Sequence, residues 1–238
     1  MIDAVIFDVD GTLVDSVVHE IVAWHEAFVR NNFDVTRDAV RQQMGKGADH
    51  LLPTLLPQES KRTHDRIAEA QGKIFRAQHR PDVRAFAMSA PLMTRLREAG
   101  VKIAIGSSGD KEDIEHYLRL TRATDLVDVL VCMDDVERSK PDPDIFQLAL
   151  KRLGGPNTQR VLAIGDTIYD VQAATAVGIR TIGVLGGAFG MATMRKAGCI
   201  AVYHDVAELF ARLSASPLRL DDADLGADAR LAAVLTRG

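Results

Sequence analysis

The chain has 238 residues, of which 47% are hydrophobic and 26% are charged, and its formal net charge at pH 7 is −4. This composition excludes a mostly disordered chain, and the absence of a basic excess argues against a nucleic-acid partner. No apolar run reaches the roughly 18 residues of a membrane helix, and no basic segment precedes an apolar stretch at the N-terminus. We therefore expect a cytoplasmic protein without a membrane partner, in which Cys132 and Cys199 are small buried thiols.

Short apolar runs along the chain predict the strands of one buried sheet. The first run covers residues 4–7 and ends in a polar turn, and similar runs follow at 101–105, 127–132, 161–164, 180–184 and 200–203. Amphipathic helices are predicted between them, at 91–99, 111–120, 143–153, 171–177, 191–197 and 206–213. Strands and helices that alternate through short connections predict an α/β fold, with a parallel sheet covered by helices on both faces.

The segment between the first two strands does not alternate in this way. Helical patterns occupy residues 17–30, 37–43, 48–56 and 59–79. The simplest interpretation is an all-α insertion, which divides the chain into a core of residues 1–16 and 82–213 and a helical cap of residues 17–81. The Ser-Ala-Ser-Pro stretch at 214–217 is typical of a linker. It opens an acidic tail of residues 214–238, whose pattern fits a loose tail and a docked helix equally.

Polar side chains follow four of the predicted strands. They are Asp8, Asp10, Gly11 and Thr12 after the first strand, Ser107 and Ser108 after the second, Lys140 after the third, and Asp166 and Asp170 after the fourth. Because the carboxyl ends of parallel strands meet at one edge of a sheet, we expect these residues to line one crevice. The four groups together, in this order, indicate an active site.

The chemistry of this residue set suits phosphoryl transfer. The carboxylates of Asp8, Asp10 and Asp166 would repel one another in one crevice, and a bound Mg²⁺ would relieve that repulsion. One carboxylate could attack phosphorus as a nucleophile, while its neighbour two residues along an extended segment handles the proton of the leaving group. Lys140, the Ser107 hydroxyl and backbone amides of the turn would hold the phosphoryl oxygens.

The same motifs resemble those of the haloacid dehalogenase-like (HAD) superfamily. Residues 8–16, Asp-Val-Asp-Gly-Thr-Leu-Val-Asp-Ser, match its nucleophile motif, and the segments around Ser107 and Lys140 resemble its second and third motifs. The sequence Gly-Asp-Thr-Ile-Tyr-Asp at 165–170 resembles its fourth, acidic motif. The resemblance covers about residues 1–213. It implies a Rossmann-like core with an inserted helical cap, as in the branch that includes phosphoglycolate phosphatases and β-phosphoglucomutases.

The resemblance also implies a role for each core residue. Asp8 corresponds to the nucleophile and a Mg²⁺ ligand, and Asp10 to the general acid and base, which also binds Mg²⁺ through its carbonyl oxygen. Asp166 corresponds to the acidic Mg²⁺ ligand, and Asp170 to an acid that supports the metal or the lysine. The predicted phosphate-binding group comprises Gly11, Thr12, Ser107, Ser108 and Lys140. For Ser108, a structural role in its turn is the alternative.

Position 10 and the cap indicate the branch of the superfamily. HAD members that cleave carbon–halogen or carbon–phosphorus bonds lack an aspartate there, so Asp10 favours an oxygen leaving group. The Gly-Lys-Gly loop around Lys46 resembles the substrate-specificity loop of helical-cap phosphatases. The mutase pattern has an arginine near His50 and a histidine at Glu20, and both differences oppose a mutase. We expect Lys46 and His50 to contact substrate, with a solvated loop lysine and an ordinary helix histidine as the respective alternatives. Trp24 is expected either to line the pocket or to anchor the cap core.

These observations predict a Mg²⁺-dependent phosphatase that hydrolyses a small phosphomonoester through an aspartyl-phosphate, with phosphoglycolate or a sugar phosphate as the favoured substrate. A phosphomutase of the β-phosphoglucomutase type is the first alternative, and a non-catalytic HAD-like binding protein is the second. The expected partner is a small phosphorylated metabolite, with no nucleic acid and no membrane. The expected assembly is a monomer or a homodimer.

Overall fold

The computed structural model describes residues 2–220. In this part of the chain, the strands are β1 Ala4–Phe7, β2 Lys102–Gly106, β3 Val129–Val131, β4 Val161–Gly165, β5 Arg180–Val184 and β6 Ala201–Tyr203. They form one parallel sheet in the order β3-β2-β1-β4-β5-β6. Phe7 at the end of β1 lies beside Ile105 of β2 and Ile164 of β4. The three central strands therefore end at the same level, and the residues that follow them enter one crevice.

Helices connect the strands and form the insertion. The α-helices of the described residues are α1 Val17–Arg30, α2 Arg37–Arg41, α3 Ala48–Leu55, α4 Lys61–Ile74, α5 Ser89–Glu98, α6 Lys111–Leu120, α7 Asp144–Arg152, α8 Ile168–Ala176, α9 Met191–Ala197 and α10 Val206–Ala211. The strands and the core helices begin and end within three residues of the sequence-based bounds. The largest difference is at the start of α8, which begins earlier than its apolar pattern because Thr167 and Asp170 form a capping box there.

The sheet is buried on both faces, which explains why its strands are continuously apolar rather than alternating. Val5 and Phe7 of β1 belong to the core on one face, which also includes Leu92 of α5 and Ile114 of α6. Ala4 and Ile6 face the opposite core, together with α7 and α8 residues such as Phe146, Ala173 and Ala174. This architecture confirms the predicted α/β fold with helices on both faces of a Rossmann-like sheet.

The segment between β1 and α5 is helical throughout its regular elements. It contains α1 to α4, a π-helical turn at Phe75–His79 and a 3-10 turn at Arg80–Asp82. Helix α1 packs against α4, and Trp24, Phe28 and Ile67 are buried in this part of the molecule. We keep the division into core and cap at residues 17–81 as our interpretation of these elements.

The region after α10 differs from the predicted linker. Ser216 is buried, and its hydroxyl donates to the carbonyl of Leu213 at 2.7 Å and accepts from the amide of Leu218 at 3.2 Å. Leu218 and Leu220 are buried in the main core, so residues 214–220 pack onto the protein because of apolar side chains that follow the small polar run. The rest of the predicted acidic tail, residues 221–238, lies outside the described residues.

The predictions about the two thiols and about membrane helices can also be compared with the structure. Cys132 is buried as expected, but Cys199 is only partly buried, and both thiols are free. Among the described helices, none combines the length and apolarity required to cross a membrane.

Candidate active site

The turns that follow β1, β2 and β4, together with the loop that follows β3, deliver the predicted core residues to one crevice. Asp8 follows β1 directly, Ser107 follows β2, and Asp166 follows β4. A cavity of about 60 Å³ lies there, and its lining residues are Asp8, Asp10, Val17, Glu20, Met44, Gly45, Lys46, Ser107, Ser108, Gly109, Asp166 and Thr167. The reason is geometric, since parallel strands that end in register place the residues after them side by side.

Lys140 occupies the centre of the charged group although it comes from the loop beyond β3. Its ammonium group is buried, and it donates to Asp8 Oδ1 and to Asp170 Oδ1, both at 2.6 Å. The second oxygen of Asp170 accepts from the Thr167 amide at 3.1 Å and from the Thr167 hydroxyl at 2.6 Å. Both oxygens of Asp170 are thus engaged, and its carboxylate fixes the lysine against the first turn of α8.

Burial and charge act in opposite directions on this group. Burial raises the pKa of Asp8 to about 7, and the Lys140 ammonium opposes that rise. Burial also raises the pKa of Asp10 to about 6, and the hydrogen bond from Ser16 opposes it. Burial would lower the pKa of Lys140, but the carboxylates of Asp170 and Asp8 outweigh it and raise that pKa. The lysine therefore stays charged, while the acids hold protons more tightly than exposed aspartates do.

Two short contacts fix the turn that carries Asp10. The Ser16 hydroxyl donates to Asp10 Oδ1 at 2.5 Å, which holds the second carboxylate of the motif in place. Gly11 has a φ of +70°, and a Cβ atom at this position would overlap the carboxylate of Asp166. Only glycine meets both demands, the left-handed backbone and the close approach.

The carboxylate group fits a divalent cation. Oxygen atoms of Asp8, Asp166 and Asp170 lie within 4.8 Å of one another, and Oδ2 of Asp166 is buried without a hydrogen-bond partner among the described residues. Burial and the charges of Asp8 and Asp170 raise the pKa of Asp166 well above its usual range. Such a buried, unpaired carboxylate oxygen beside other acids is what a hard cation such as Mg²⁺ would satisfy. Since both oxygens of Asp170 are already bonded, Asp8 and Asp166 are the better candidate ligands.

Of the predicted phosphate-binding residues, Ser107 and Ser108 line the cavity, whereas Gly11, Thr12 and Lys140 are outside its lining. The Thr12 hydroxyl lies 3.5 Å from Asp8 Oδ2 and 3.5 Å from Asp166 Oδ1. The Ser107 hydroxyl accepts from the Gly109 amide at 3.0 Å and lines the cavity. The Ser108 hydroxyl also lines it and accepts from the Lys140 amide at 3.3 Å. The bond from the Lys140 amide gives Ser108 a structural role in the loop, and its contact with a phosphoryl group stays a prediction.

The structure separates the three cap residues that were candidates for substrate contact, of which Trp24 had the cap core as its alternative. Lys46 lines the cavity, and its ammonium donates to Gln43 Oε1 at 2.7 Å. Nε2 of His50 instead lies 2.8 Å from Asp142 Oδ2, outside the cavity lining. Trp24 is buried, with its ring 6.0 Å from that of Phe28, and it is also outside the lining.

Several residues of the crevice were not singled out as site residues from the sequence. Glu20 lines the cavity from the first helix of the cap, and burial together with the charge of Asp10 raises its pKa well above the usual range. Thr167 and Tyr169 belong to the acidic motif but contact the cap, since the Tyr169 hydroxyl donates to the Gln42 carbonyl at 2.6 Å. The position of Thr167 and Tyr169 within the acidic motif could have indicated that they lie near the site. The sequence does not show which loop of the cap they contact.

Comparison with known proteins agrees with this geometry. The sequence pattern of the family described as haloacid dehalogenase-like hydrolase matches residues 5–184. The chain belongs to the haloacid dehalogenase-like hydrolase family. It is 26% identical over 186 residues to the pyrophosphatase PpaX of Bacillus pumilus, a match that covers 77% of this chain and 83% of PpaX.

Two further relatives are similar over most of their length. Protein CbbY of Cereibacter sphaeroides is 28% identical over 202 residues, which cover 76% of this chain and 84% of CbbY. The crystal structure of a hydrolase from Pseudomonas syringae superposes with a TM-score of 0.84 and 28% identity, and covers 90% of this chain and 98% of that one. The predictions of a HAD-like fold and of an enzyme among the HAD-like phosphatases are confirmed at this level.

Proposed function

We propose that this protein is a Mg²⁺-dependent phosphatase that hydrolyses a small phosphomonoester through an aspartyl-phosphate on Asp8. The observation that carries the proposal is the buried arrangement of Lys140 between Asp8 and Asp170, with the unpaired Oδ2 of Asp166 beside them. A lysine held by two carboxylates at the end of a parallel sheet supplies a fixed positive charge where a phosphoryl group would sit.

In the first half of the reaction, an oxygen of Asp8 attacks phosphorus and the bond from phosphorus to the ester oxygen breaks. The leaving alkoxide takes a proton from Asp10, whose raised pKa of about 6 suits a general acid near neutral pH. The Lys140 ammonium, 2.6 Å from Asp8 Oδ1, would hold the phosphoryl oxygens together with the Ser107 hydroxyl. These groups are in place before substrate binds, so little reorganisation is needed in the transition state.

In the second half, the ionised Asp10 removes a proton from a water molecule as that water attacks the phosphorus of the aspartyl-phosphate. The bond from phosphorus to the Asp8 oxygen breaks, which releases inorganic phosphate and restores both carboxyl groups. When Mg²⁺ is bound, by Asp8, Asp166 and the carbonyl of Asp10, it would offset the negative charge of the phosphoryl group.

The cap side of the crevice supports a small leaving group. The cavity of about 60 Å³ leaves little room beyond a phosphoryl group while Val17, Met44 and Gly45 lie over it. Phosphoglycolate and small sugar phosphates remain the favoured substrates, and pyrophosphate joins them because PpaX of Bacillus pumilus bears the name pyrophosphatase.

The test is a phosphate-release assay with Mg²⁺ on 2-phosphoglycolate, sugar monophosphates, p-nitrophenyl phosphate and pyrophosphate. We expect turnover of at least one compound, and a fall of about 10³-fold or more in Asp8→Asn, which keeps the shape and removes the anionic nucleophile. The matched control is Asp15→Asn, the same change at an exposed position of the same motif. Acid-quenched mixtures should contain phosphate on Asp8 in the wild-type protein alone.

The same panel of compounds, with added assays for isomerisation and for ligand binding, separates the alternatives. Activity that persists in Asp8→Asn would refute the aspartyl-phosphate scheme, and activity that persists after chelation of divalent ions would refute the metal dependence. Glucose 1-phosphate that is isomerised only when a glucose bisphosphate is added would identify a mutase. Binding of phosphorylated compounds without any turnover would identify a non-catalytic binding protein.

A further inference from the structure

Tyr169 touches the cap at two places although it belongs to the core. Its hydroxyl donates to the backbone carbonyl of Gln42 at 2.6 Å. The ammonium of Lys46 lies 4.9 Å from the centre of its ring, the geometry of a cation–π contact. Gln42 and Lys46 lie near the two ends of the loop of residues 42–47, which leads from α2 to α3. One buried side chain of the core thus contacts both ends of that loop.

The position of Tyr169 in α8 connects this loop to the catalytic group. The residue before the helix, Thr167, lies so close beneath the cap that a Cβ atom on Gly45 would be 2.5 Å from its Cγ2 atom. The residue after Tyr169 is Asp170, which accepts from Lys140 at 2.6 Å. The first turn of α8 therefore makes two kinds of contact. Asp170 binds Lys140, and Tyr169 contacts the loop of residues 42–47.

The ring of Tyr169 also packs against an aromatic residue of the core. Phe189 packs against it edge to face, with ring centres 5.9 Å apart. Phe189 lies two residues after Gly187, in the loop that follows β5. A Cβ atom added to Gly187 would overlap the carboxylate of Asp166. The loop that closes over the acidic metal-ligand candidate thereby also fixes the orientation of the tyrosine.

Lys46 has few other contacts that would hold it at the crevice. Its ammonium donates to Gln43, in its own loop, and lies 3.4 Å from the exposed Thr54 hydroxyl. Both partners belong to the cap and would travel with it. The Tyr169 ring is the core group that lies closest to the ammonium among the contacts the structure describes.

We propose that Tyr169 is a positioning residue, which docks the loop of residues 42–47 onto the core and places Lys46 at the crevice. This inference rests on the proposed function, because it assigns Tyr169 to the substrate-binding step of that reaction. Tyr169 does not touch the reacting atoms and acts through the loop. Its loss should weaken substrate binding and leave the chemical step intact.

The experiment compares Tyr169→Phe, which keeps the ring and removes the hydroxyl, with Tyr169→Leu, which removes both contacts. With 2-phosphoglycolate and p-nitrophenyl phosphate as probes and Mg²⁺ present, KM should rise about 2- to 10-fold in Tyr169→Phe, the range of one neutral hydrogen bond. It should rise further in Tyr169→Leu, by about another 2- to 5-fold for the lost ring contact. In both variants kcat should stay within about twofold of wild type, since the Asp170 contact to Lys140 remains.

A second measurement does not depend on activity. Full-length protein is treated with an acylating reagent for amines, and the labelling of Lys46 is compared by peptide mass spectrometry with that of Lys61, an exposed lysine of the cap surface. We expect Lys46 to be labelled at least about threefold faster in Tyr169→Leu, and faster than in wild type by a smaller factor in Tyr169→Phe, which retains the ring. Tyr203→Phe, on the edge strand β6, is the matched control and should change neither readout.

The outcomes distinguish this inference from the proposed function. If wild-type protein releases no phosphate from either probe, the proposed function fails for them, and Lys46 labelling alone decides the role of Tyr169. If Lys46 labelling is the same in wild type and Tyr169→Leu, the docking role is refuted. A fall in kcat with unchanged KM would also refute it, because that pattern indicates damage to the Asp170–Lys140 pair instead.

Discussion

The floor and the roof of the crevice are built in different ways. The floor residues Asp8, Lys140, Asp166 and Asp170 are buried, follow strands of one sheet, and include a lysine bonded to two carboxylates. The roof loop around Lys46 is partly exposed and meets the core through a few separate hydrogen bonds and ring contacts. The floor is thus fixed by the sheet, whereas the roof is held by contacts that can break one at a time.

This difference suits an enzyme that must admit substrate and then exclude water. Rigid elements hold the reacting groups, and under the proposed function the cap would open and close above them. The cap is attached at more than one place, since Asp49 bonds Ser139 and Arg80 lies 2.8 Å from Asp113 of α6. Substitutions in the floor should therefore cost stability and chemistry together, and substitutions in the roof should change mainly substrate binding.

The largest effect is expected from Lys140→Met, which keeps much of the side-chain volume and removes the charge. Asp8 and Asp170 would then face each other without the ammonium that lies 2.6 Å from both. Loss of one partner of a buried ion pair costs about 3–5 kcal/mol, and we expect the free energy of unfolding in urea to fall by about that amount. Phosphate release should fall by about 10²-fold or more.

The matched control for this change is Lys61→Met, since the Lys61–Asp65 pair has the same type of contact at the surface of the cap. We expect little or no change in unfolding there, because exposed ion pairs contribute little. Equal losses of stability in the two variants would contradict the view that the floor is a buried, charge-matched unit.

The sequence allowed the floor to be predicted, and the reason is physical. Asp8 and Asp166 directly follow apolar strands of a parallel sheet, and register brings such residues together, as Phe7 beside Ile105 and Ile164 illustrates. Lys140 and Asp170 follow further along the chain, and their motifs were the signal that predicted them. The roof obeys no comparable rule, because its contacts depend on how one helical segment sits over another. Substrate contact was a candidate role for both His50 and Trp24, with the cap core as the alternative for Trp24. His50 lies against Asp142, and Trp24 lies in the cap core.

The misjudged linker has a similar cause. Small polar residues at 214–217 are typical of a linker, but the burial of Leu218 and Leu220 decides how that segment packs. Whether an apolar side chain finds a partner is a property of the tertiary structure, and a local composition pattern does not contain it.

The next effect concerns pH and Mg²⁺ at the floor. Burial raises the pKa of Asp8 to about 7 and of Asp10 to about 6, so the folded state binds more protons than the unfolded state between about pH 4 and pH 7. In the absence of divalent ions, these two groups therefore make the protein less stable as the pH rises through that range. Under the proposed function, Mg²⁺ would bind the ionised carboxylates of the folded state, so it should raise the Tm most at the upper end of the range.

Thermal unfolding from pH 4 to pH 8, with MgCl₂ or with NaCl of equal ionic strength, measures this effect. Asp8→Asn should flatten the pH dependence without Mg²⁺ and should also weaken the rise in Tm with Mg²⁺. A rise in Tm that NaCl reproduces would show general screening of charge instead of binding at the floor.

The smallest effect is expected from the roof, in Asp49→Asn. The Asp49 carboxylate accepts from the Ser139 amide at 2.9 Å and from the Ser139 hydroxyl at 2.6 Å, which joins the cap to the residue before Lys140. The amide side chain retains one acceptor oxygen, so one of these bonds is lost, at a cost of about 1 kcal/mol in cap docking. For the best ester of the phosphate-release panel, kcat/KM should fall about 3- to 10-fold, while the Tm changes little.

The control for this last change is Asp65→Asn, also in the cap, whose carboxylate accepts from Lys61 of the same helix. That variant should keep the wild-type kcat/KM, because it loses no contact with the core. If Asp49→Asn lowers the Tm as strongly as Lys140→Met does, then the roof is part of the same rigid unit as the floor. The cap would then have to move by some means other than release of the Asp49–Ser139 contact.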